Sequence, residues 1–208
     1  MISVAGLRHR YGDRQVLALD AWRAAVGEHW LILGASGSGK TTLLCILAGL
    51  LRPSAGHVQV AGEDLATLSG TALDRFRGRH VGFVPQKLHL IASLTVEDNL
   101  VLAQYLAGLP QDRSRVRAVL GALGLADRAR ARPAELSHGQ AQRVAVARAV
   151  MNRPRLILAD EPTSNLDDAH CAQAAGLLES QAAACSATLV IATHDQRVRA
   201  RFERRIEL

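Results

Sequence analysis

Gly34-Ala35-Ser36-Gly37-Ser38-Gly39-Lys40-Thr41 is the stretch of this chain best equipped for chemistry, and it fits the pattern GxxxxGK[ST]. Glycines let a backbone wrap closely around phosphate groups, and consecutive amides plus a following helix N-terminus supply positive potential without any side chain. Of the 25 basic residues only Lys40 and Lys87 are lysine; elsewhere the chain uses arginine. A compact ammonium on a flexible stem reaches the β- and γ-oxygens of a triphosphate where a planar guanidinium is too bulky, which accounts for lysine at 40. The Thr41 hydroxyl is suited to Mg²⁺, which keeps several waters and shares phosphate oxygens. A flexible glycine turn is the competing reading, and it leaves the lysine unexplained.

Two further groups belong to the same chemistry. Leu156-Ile157-Leu158-Ala159-Asp160-Glu161 reads as a buried strand delivering adjacent carboxylates to its end, which is costly without a cation nearby. Mg²⁺ on a triphosphate is such a cation: Asp160 would hold it, and Glu161 would orient or deprotonate an attacking water. A plain strand-end turn at Asp-Glu-Pro is the alternative. His194 follows another apolar run, Thr188 to Thr193; an ordinary structural histidine is the competing reading, and its place beside Glu161 at a strand terminus favours catalysis.

These side chains need a scaffold, and the apolar pattern supplies one. Strands are predicted at 2–8, 16–25, 30–34, 57–62, 81–86, 156–162 and 188–195. Behind the glycine turn, Leu44, Leu47, Ala48 and Leu51 sit at helical spacing, with Pro53 beyond the end. Near-continuous apolar strands alternating with helices imply an α/β fold whose parallel sheet is covered on both faces, with ligands at the carboxyl ends of its strands. Gly34, Gln86, Asp160 and His194 all fall there. Between Pro85 and Pro133 the pattern turns helical, so a helical insertion is expected.

Composition narrows the classes. With 208 residues, 49% hydrophobic and 21% charged, the chain has the material for a sizeable core and is not of the disordered class. Its longest apolar run, Leu43 to Leu51, is too short to cross a bilayer. The start, MISVAGLRHRYGD, lacks a secretory pattern, so a cytosolic chain is expected. Cys45, Cys171 and Cys185 form no CxxC pair and read as small hydrophobes. The net charge of +6 comes from arginines spread over 75–80, 113–117, 128–132 and 197–205 without interleaved aromatics. A solvated basic surface is therefore expected, and no nucleic acid.

Taken in order, these residues resemble the ATP-binding cassette (ABC) family over nearly the whole chain. Leu136-Ser137-His138-Gly139-Gln140 resembles the LSGGQ signature, 23 residues before Asp160; His138 replaces its first glycine. Gln86 sits where the family has its Q-loop, Ser164-Asn165-Leu166-Asp167 resembles the D-loop, and His194 the switch histidine. Tyr11, 29 residues before Lys40, matches the aromatic that stacks on adenine. Ser137 with Gln140 also reads as a capping box opening a helix.

The resemblance implies a P-loop NTPase core with a parallel sheet, an N-terminal antiparallel β-subdomain and an inserted α-helical subdomain. Residues 1–208 would form one ABC ATPase domain: 1–85 and 154–208 the RecA-like core with the β-subdomain, 86–153 the helical subdomain with the signature. It further implies that ATP is bound by Tyr11, residues 34 to 41 (Gly34, Ala35, Ser36, Gly37, Ser38, Gly39, Lys40, Thr41), Thr42 and Gln86. Mg²⁺ would be held by Thr41, Gln86 and Asp160, and catalysis carried by Glu161, His194 and Lys40. Ser137, His138, Gly139 and Gln140 would act in trans, with Asp167 aligning the opposing site, so that two subunits sandwich two ATP molecules. An integral membrane permease is the implied partner, with the ATPase peripheral on the cytoplasmic face of the inner membrane. The runs FVPQKLHLIASLTVEDNL and LADEPTSNLD, with 14 residues after His194, resemble the lipoprotein-release and macrolide-export branch, which pairs with FtsX-like permeases.

Other functions remain open to the sequence. An ABC importer ATPase is one, and a soluble ABC ATPase acting on ribosomes or DNA is another, favoured by the charge but usually carrying paired cassettes or a long coiled coil. A small-molecule kinase would share residues 34 to 41 but has no need of Ser137 to Gln140.

Overall fold

The computed structural model describes residues 1–164 and 166–208. Its first part runs β1 (Ile2–Tyr11), β2 (Arg14–Ala24), β3 (His29–Leu33), α1 (Lys40–Leu47), β4 (Ala55–Val60), β5 (Glu63–Asp64), α2 (Gly70–His80) and β6 (Val81–Val84). The remainder runs α3 (Val96–Leu106), α4 (Arg113–Ala122), α5 (His138–Val150), β7 (Leu156–Asp160), α6 (Asp168–Cys185), β8 (Thr188–Thr193) and β9 (Arg204–Glu207).

Five strands form a parallel sheet in the order β6-β7-β8-β3-β9, with Leu31 opposite Ile191 and Leu158 opposite Val190. Every residue of β7 and β8 is buried, which is why both read as unbroken apolar runs. Alternation along each strand divides their side chains between two cores. Leu31, Leu33, Ile157, Ala159, Leu189 and Ile191 share one with Val96 and Leu100 of α3, Val116 and Leu120 of α4, Val144 of α5 and Leu178 of α6. Ile32, Leu156, Leu158, Val190 and Ala192 share the other with Leu43 and Leu47 of α1. That second core is closed by a smaller antiparallel sheet, β2-β1-β4-β5, through Val4, Leu17, Trp22 and Val58.

Strands β6, β7 and β8 end two residues before the expected 86, 162 and 195, β5 was not expected, and three further differences have a clear cause. Helix α1 stops at Leu47, short of Leu51, because Gly49 turns into the left-handed region at φ 67° and releases the chain. Helix α2 was hidden because Phe76 is its one buried residue. Strand β9 was hidden because it lies at the sheet edge with Arg204 and Arg205 exposed, charges that suit an edge but erase the apolar signal. Among the described residues no helix is long and apolar enough to cross a membrane.

Candidate nucleotide site

The loop between β3 and α1 is shaped by backbone that only glycine tolerates. Gly39 has φ 98°, and a Cβ there would lie 2.5 Å from the Val16 carbonyl; at Gly34 it would lie 2.4 Å from Ser38 Oγ. Gly39 also stands at the N-cap of α1 without a capping side chain, so the first amides of the helix stay available to an anion.

Lys40 is 6% exposed, and its Nζ donates to the carbonyls of Gly34 (2.8 Å) and Ala35 (3.0 Å). The same ammonium lies 3.5 Å from Glu161 Oε1. Thr41 Oγ1 donates to Asp160 Oδ2 at 2.8 Å, while Asp160 Oδ1 is buried with no hydrogen-bond partner among the described residues.

Glu161 leaves β7 with φ 48°, a left-handed conformation that costs a β-bearing residue energy and is held by its N–H donating to the Ala192 carbonyl at 2.8 Å. Its carboxylate accepts from Thr193 Oγ1 at 2.8 Å and from the His194 amide at 3.3 Å, and Oε1 lies 2.9 Å from His194 Nδ1. The neighbouring carboxylates are tuned apart. Burial raises the pKa of Asp160, opposed in part by the Thr41 hydroxyl and reinforced by the charge of Glu161. Burial also pushes Glu161 upward, but hydrogen bonds from His194 and Thr193 together outweigh it and leave its pKa below the ordinary value.

One cleft of about 370 Å³ is lined by Ser36, Lys40, Thr41, Gln86, Glu161 and His194, residues from four separate stretches of chain. Arg14 and Val16 of β2 line it too, and the sequence offered no signal for them. Tyr11 does not line it: the ring is 53% exposed at the end of β1, edge-on to His9 at 4.8 Å. Thr193 was likewise missed as a site residue, because it reads as the last position of an apolar strand.

Ser137, Gly139 and Gln140 are not brought to this cleft. They open α5 with the anticipated capping box, Ser137 Oγ accepting from the Gln140 amide at 3.2 Å and Gln140 Oε1 from the Ser137 amide at 2.9 Å. Ser137 and Gly139 border another hollow, about 820 Å³, together with Asp167. His138 faces that hollow and also a smaller one of about 290 Å³ shared with Gln86 and Glu161. Asp167 caps α6 by accepting from the His170 amide at 2.9 Å; Asn165 of the same segment lies outside the described residues.

Known proteins are similar to this chain over its length. The family model described as ABC transporter covers residues 21–164. The lipoprotein-releasing system ATP-binding protein LolD of Chromohalobacter salexigens is 41% identical, the alignment spanning 100% of this chain and 90% of that protein. The macrolide export ATP-binding/permease protein MacB of Escherichia coli K12 is 42% identical over 100% of this chain, which spans 33% of that longer protein. A dimeric post-hydrolysis structure of the ATP-binding cassette MJ0796 with ADP and Pi superposes with a TM-score of 0.89 at 32% identity, covering 100% of this chain and 94% of that one. A second dimeric MJ0796 structure gives 0.86 at 33%, with the same coverage. The chain belongs to the ABC transporter family, and it is an ATP-binding, ATP-hydrolysing cassette of that family.

Proposed function

We propose that two copies of this chain close head to tail over ATP, each presenting its Ser137–Gln140 segment to the other's glycine loop, and that closure drives a membrane permease. The observation that carries this reading is the division of labour within one chain. Lys40, Glu161, His194 and Gln86 share a cleft, while the exposed, capped N-terminus of α5 sits outside it. Such a helix start attracts an anion, and a second subunit can offer one.

In this mechanism Lys40 and the amides of residues 34 to 41 bind the phosphates, with Tyr11 stacking on adenine and Thr42 completing the site. Glu161, kept ionised by its hydrogen bonds, takes a proton from the attacking water, and His194 holds that carboxylate at Oε1. Gln86 reports the phosphate state to the helical segment 86–153, and Asp167 aligns the opposing site. Thr41, Asp160 and Gln86 would hold Mg²⁺. The fit is supported by the buried Asp160 Oδ1, without a hydrogen-bond partner among the described residues, next to the Oδ2 that accepts from the Thr41 hydroxyl, an arrangement costly without a cation. When bound, Mg²⁺ neutralises charge on the phosphates.

The permease reading is supported by an apolar hollow of about 460 Å³ lined by Leu50, Phe83, Ile91, Leu102 and Leu106, next to the segment following Gln86. Leu50 and Leu106 are 50% and 66% exposed there, the kind of patch that marks an interaction site. The likeness to LolD and MacB supports a permease of the lipoprotein-release or macrolide-export type and, with it, a position on the cytoplasmic face of the inner membrane.

Glu161→Gln tests the closure. The variant is expected to bind ATP, lose hydrolysis by about two orders of magnitude or more, and elute as a dimer with Mg²⁺ and ATP. A variant that binds ATP yet stays monomeric at saturation, while wild type hydrolyses, would rule out the sandwich.

A further inference from the structure

In the C-terminal basic run, Arg197 bridges two separate stretches of chain. Arg197 Nε and Nη2 donate to the two carboxylate oxygens of Asp195 at 2.9 and 2.7 Å. Its Nη1 donates to Asp168 Oδ1 at 2.8 Å and to the Leu166 carbonyl at 3.0 Å. On the other side, the Asp195 amide donates to Thr193 Oγ1 at 3.0 Å, and that hydroxyl donates to Glu161 Oε2 at 2.8 Å. An unbroken hydrogen-bonded path thus runs from the Glu161 carboxylate, past His194, to the residues on either side of Asp167.

We propose that Arg197 is a positioning residue that couples the hydrolytic pocket of one subunit to its own D-loop, and through Asp167 to the active site across the dimer. The inference rests on the sandwich reading and falls with it. A guanidinium suits the task because its planar fork is fixed by the two-point contact with Asp195, leaving Nη1 aimed at the Leu166–Asp168 segment. Movement of the strand end carrying His194 and Asp195 would then displace Leu166 and Asp168. An ammonium has no such fixed plane, so lysine should transmit the movement poorly.

The test compares full-length wild type, Arg197→Gln, Arg197→Lys and Asp168→Asn for kcat, KM, the Hill coefficient for ATP, ADP affinity and melting temperature. Arg197→Gln is expected to lower kcat about tenfold and to bring the Hill coefficient toward one, with ADP affinity within twofold of wild type. Arg197→Lys should recover only part of the loss. Combining Arg197→Gln with Asp168→Asn should be no worse than Arg197→Gln alone, since both cut the same path. Because Asp168 is exposed, its single variant reads the path without threatening the fold. Wild-type kcat and cooperativity in Arg197→Gln would overturn the inference, as would a loss of kcat that merely follows a loss of ADP affinity or melting temperature. A Glu161→Gln copy that binds ATP yet stays monomeric, while wild type turns over ATP, would sink the sandwich reading, and this inference with it.

Discussion

Asp160 and Glu161 are adjacent in the chain, yet their surroundings shift their pKa values in opposite directions, which is the central fact at the scale of single residues. Asp160 stays on the buried strand with one oxygen lacking a partner among the described residues; Glu161 turns out through a left-handed backbone into hydrogen bonds from Thr193 and His194. Asp195, two residues beyond Thr193, shows the same control. Side-chain hydrogen bonds from Arg197 hold its pKa far below the carboxylate range. A depressed native value means that this pairing stabilises the fold fully above the unfolded pKa near about 3.9 and less as pH falls through the native value. Asp195→Asn should therefore melt below wild type at pH 7, with the difference narrowing only below about pH 4. Thermal melts between pH 7 and 3 check this; a gap that stays constant to pH 3 contradicts it.

At the scale of elements, α5 is defined by its first turn. Ser137 and Gln140 satisfy each other's amides, so the helix starts where the signature stands, and the same helix continues to Arg148, whose guanidinium donates to the carbonyls of Leu88 and His89 at 2.7 Å. The segment after Gln86 and the signature are thereby tied to one rigid element. Removing the cap with Ser137→Ala should cost about 1 kcal/mol, or about 2–4 °C in a chain of this size. ADP affinity should hold, because Ser137 does not line the cleft of its own chain, while ATP turnover falls. Calorimetry with an ADP titration and an ATPase assay separates the three quantities; weakened ADP binding would place the signature in the wrong site.

For the whole molecule, the question is how two copies meet. Much of the C-terminal charge is already spent internally: Arg199 pairs with Glu207, Arg201 with Glu179 and Arg204 with Glu28. Part of the basic surface expected from sequence is in this region a set of half-exposed ion pairs. The Ser137 hollow and the Lys40 cleft share no lining residue on one chain, and the proposed head-to-tail pair would bring one to the other. Mixing a Ser38→Cys copy with a Ser137→Cys copy, both in the Glu161→Gln background, should give an ATP-dependent crosslinked heterodimer. Efficient crosslinking inside a single Ser38→Cys, Ser137→Cys chain, with none between copies, would contradict this geometry.

Local chemistry made much of this legible in one dimension. A glycine loop, a lysine in an arginine-rich chain, unbroken apolar strands and a capping box each follow from a few neighbouring residues, because backbone freedom, desolvation and amide satisfaction act over short distances. The parallel strands and the capped start of α5 were read in this way. Other features depend on partners far apart in sequence. Sheet order, the edge position of β9 with its exposed arginines, and the entry of Arg14 and Val16 into the cleft leave no local mark. Arg197 shows the difference most plainly: in sequence it is one more surface charge, and only the fold brings Asp168 and the Leu166 carbonyl within reach of a guanidinium already fixed by Asp195. Burial and pairing are properties of the packed chain, so the same residue type is solvated in one place and a strut in another.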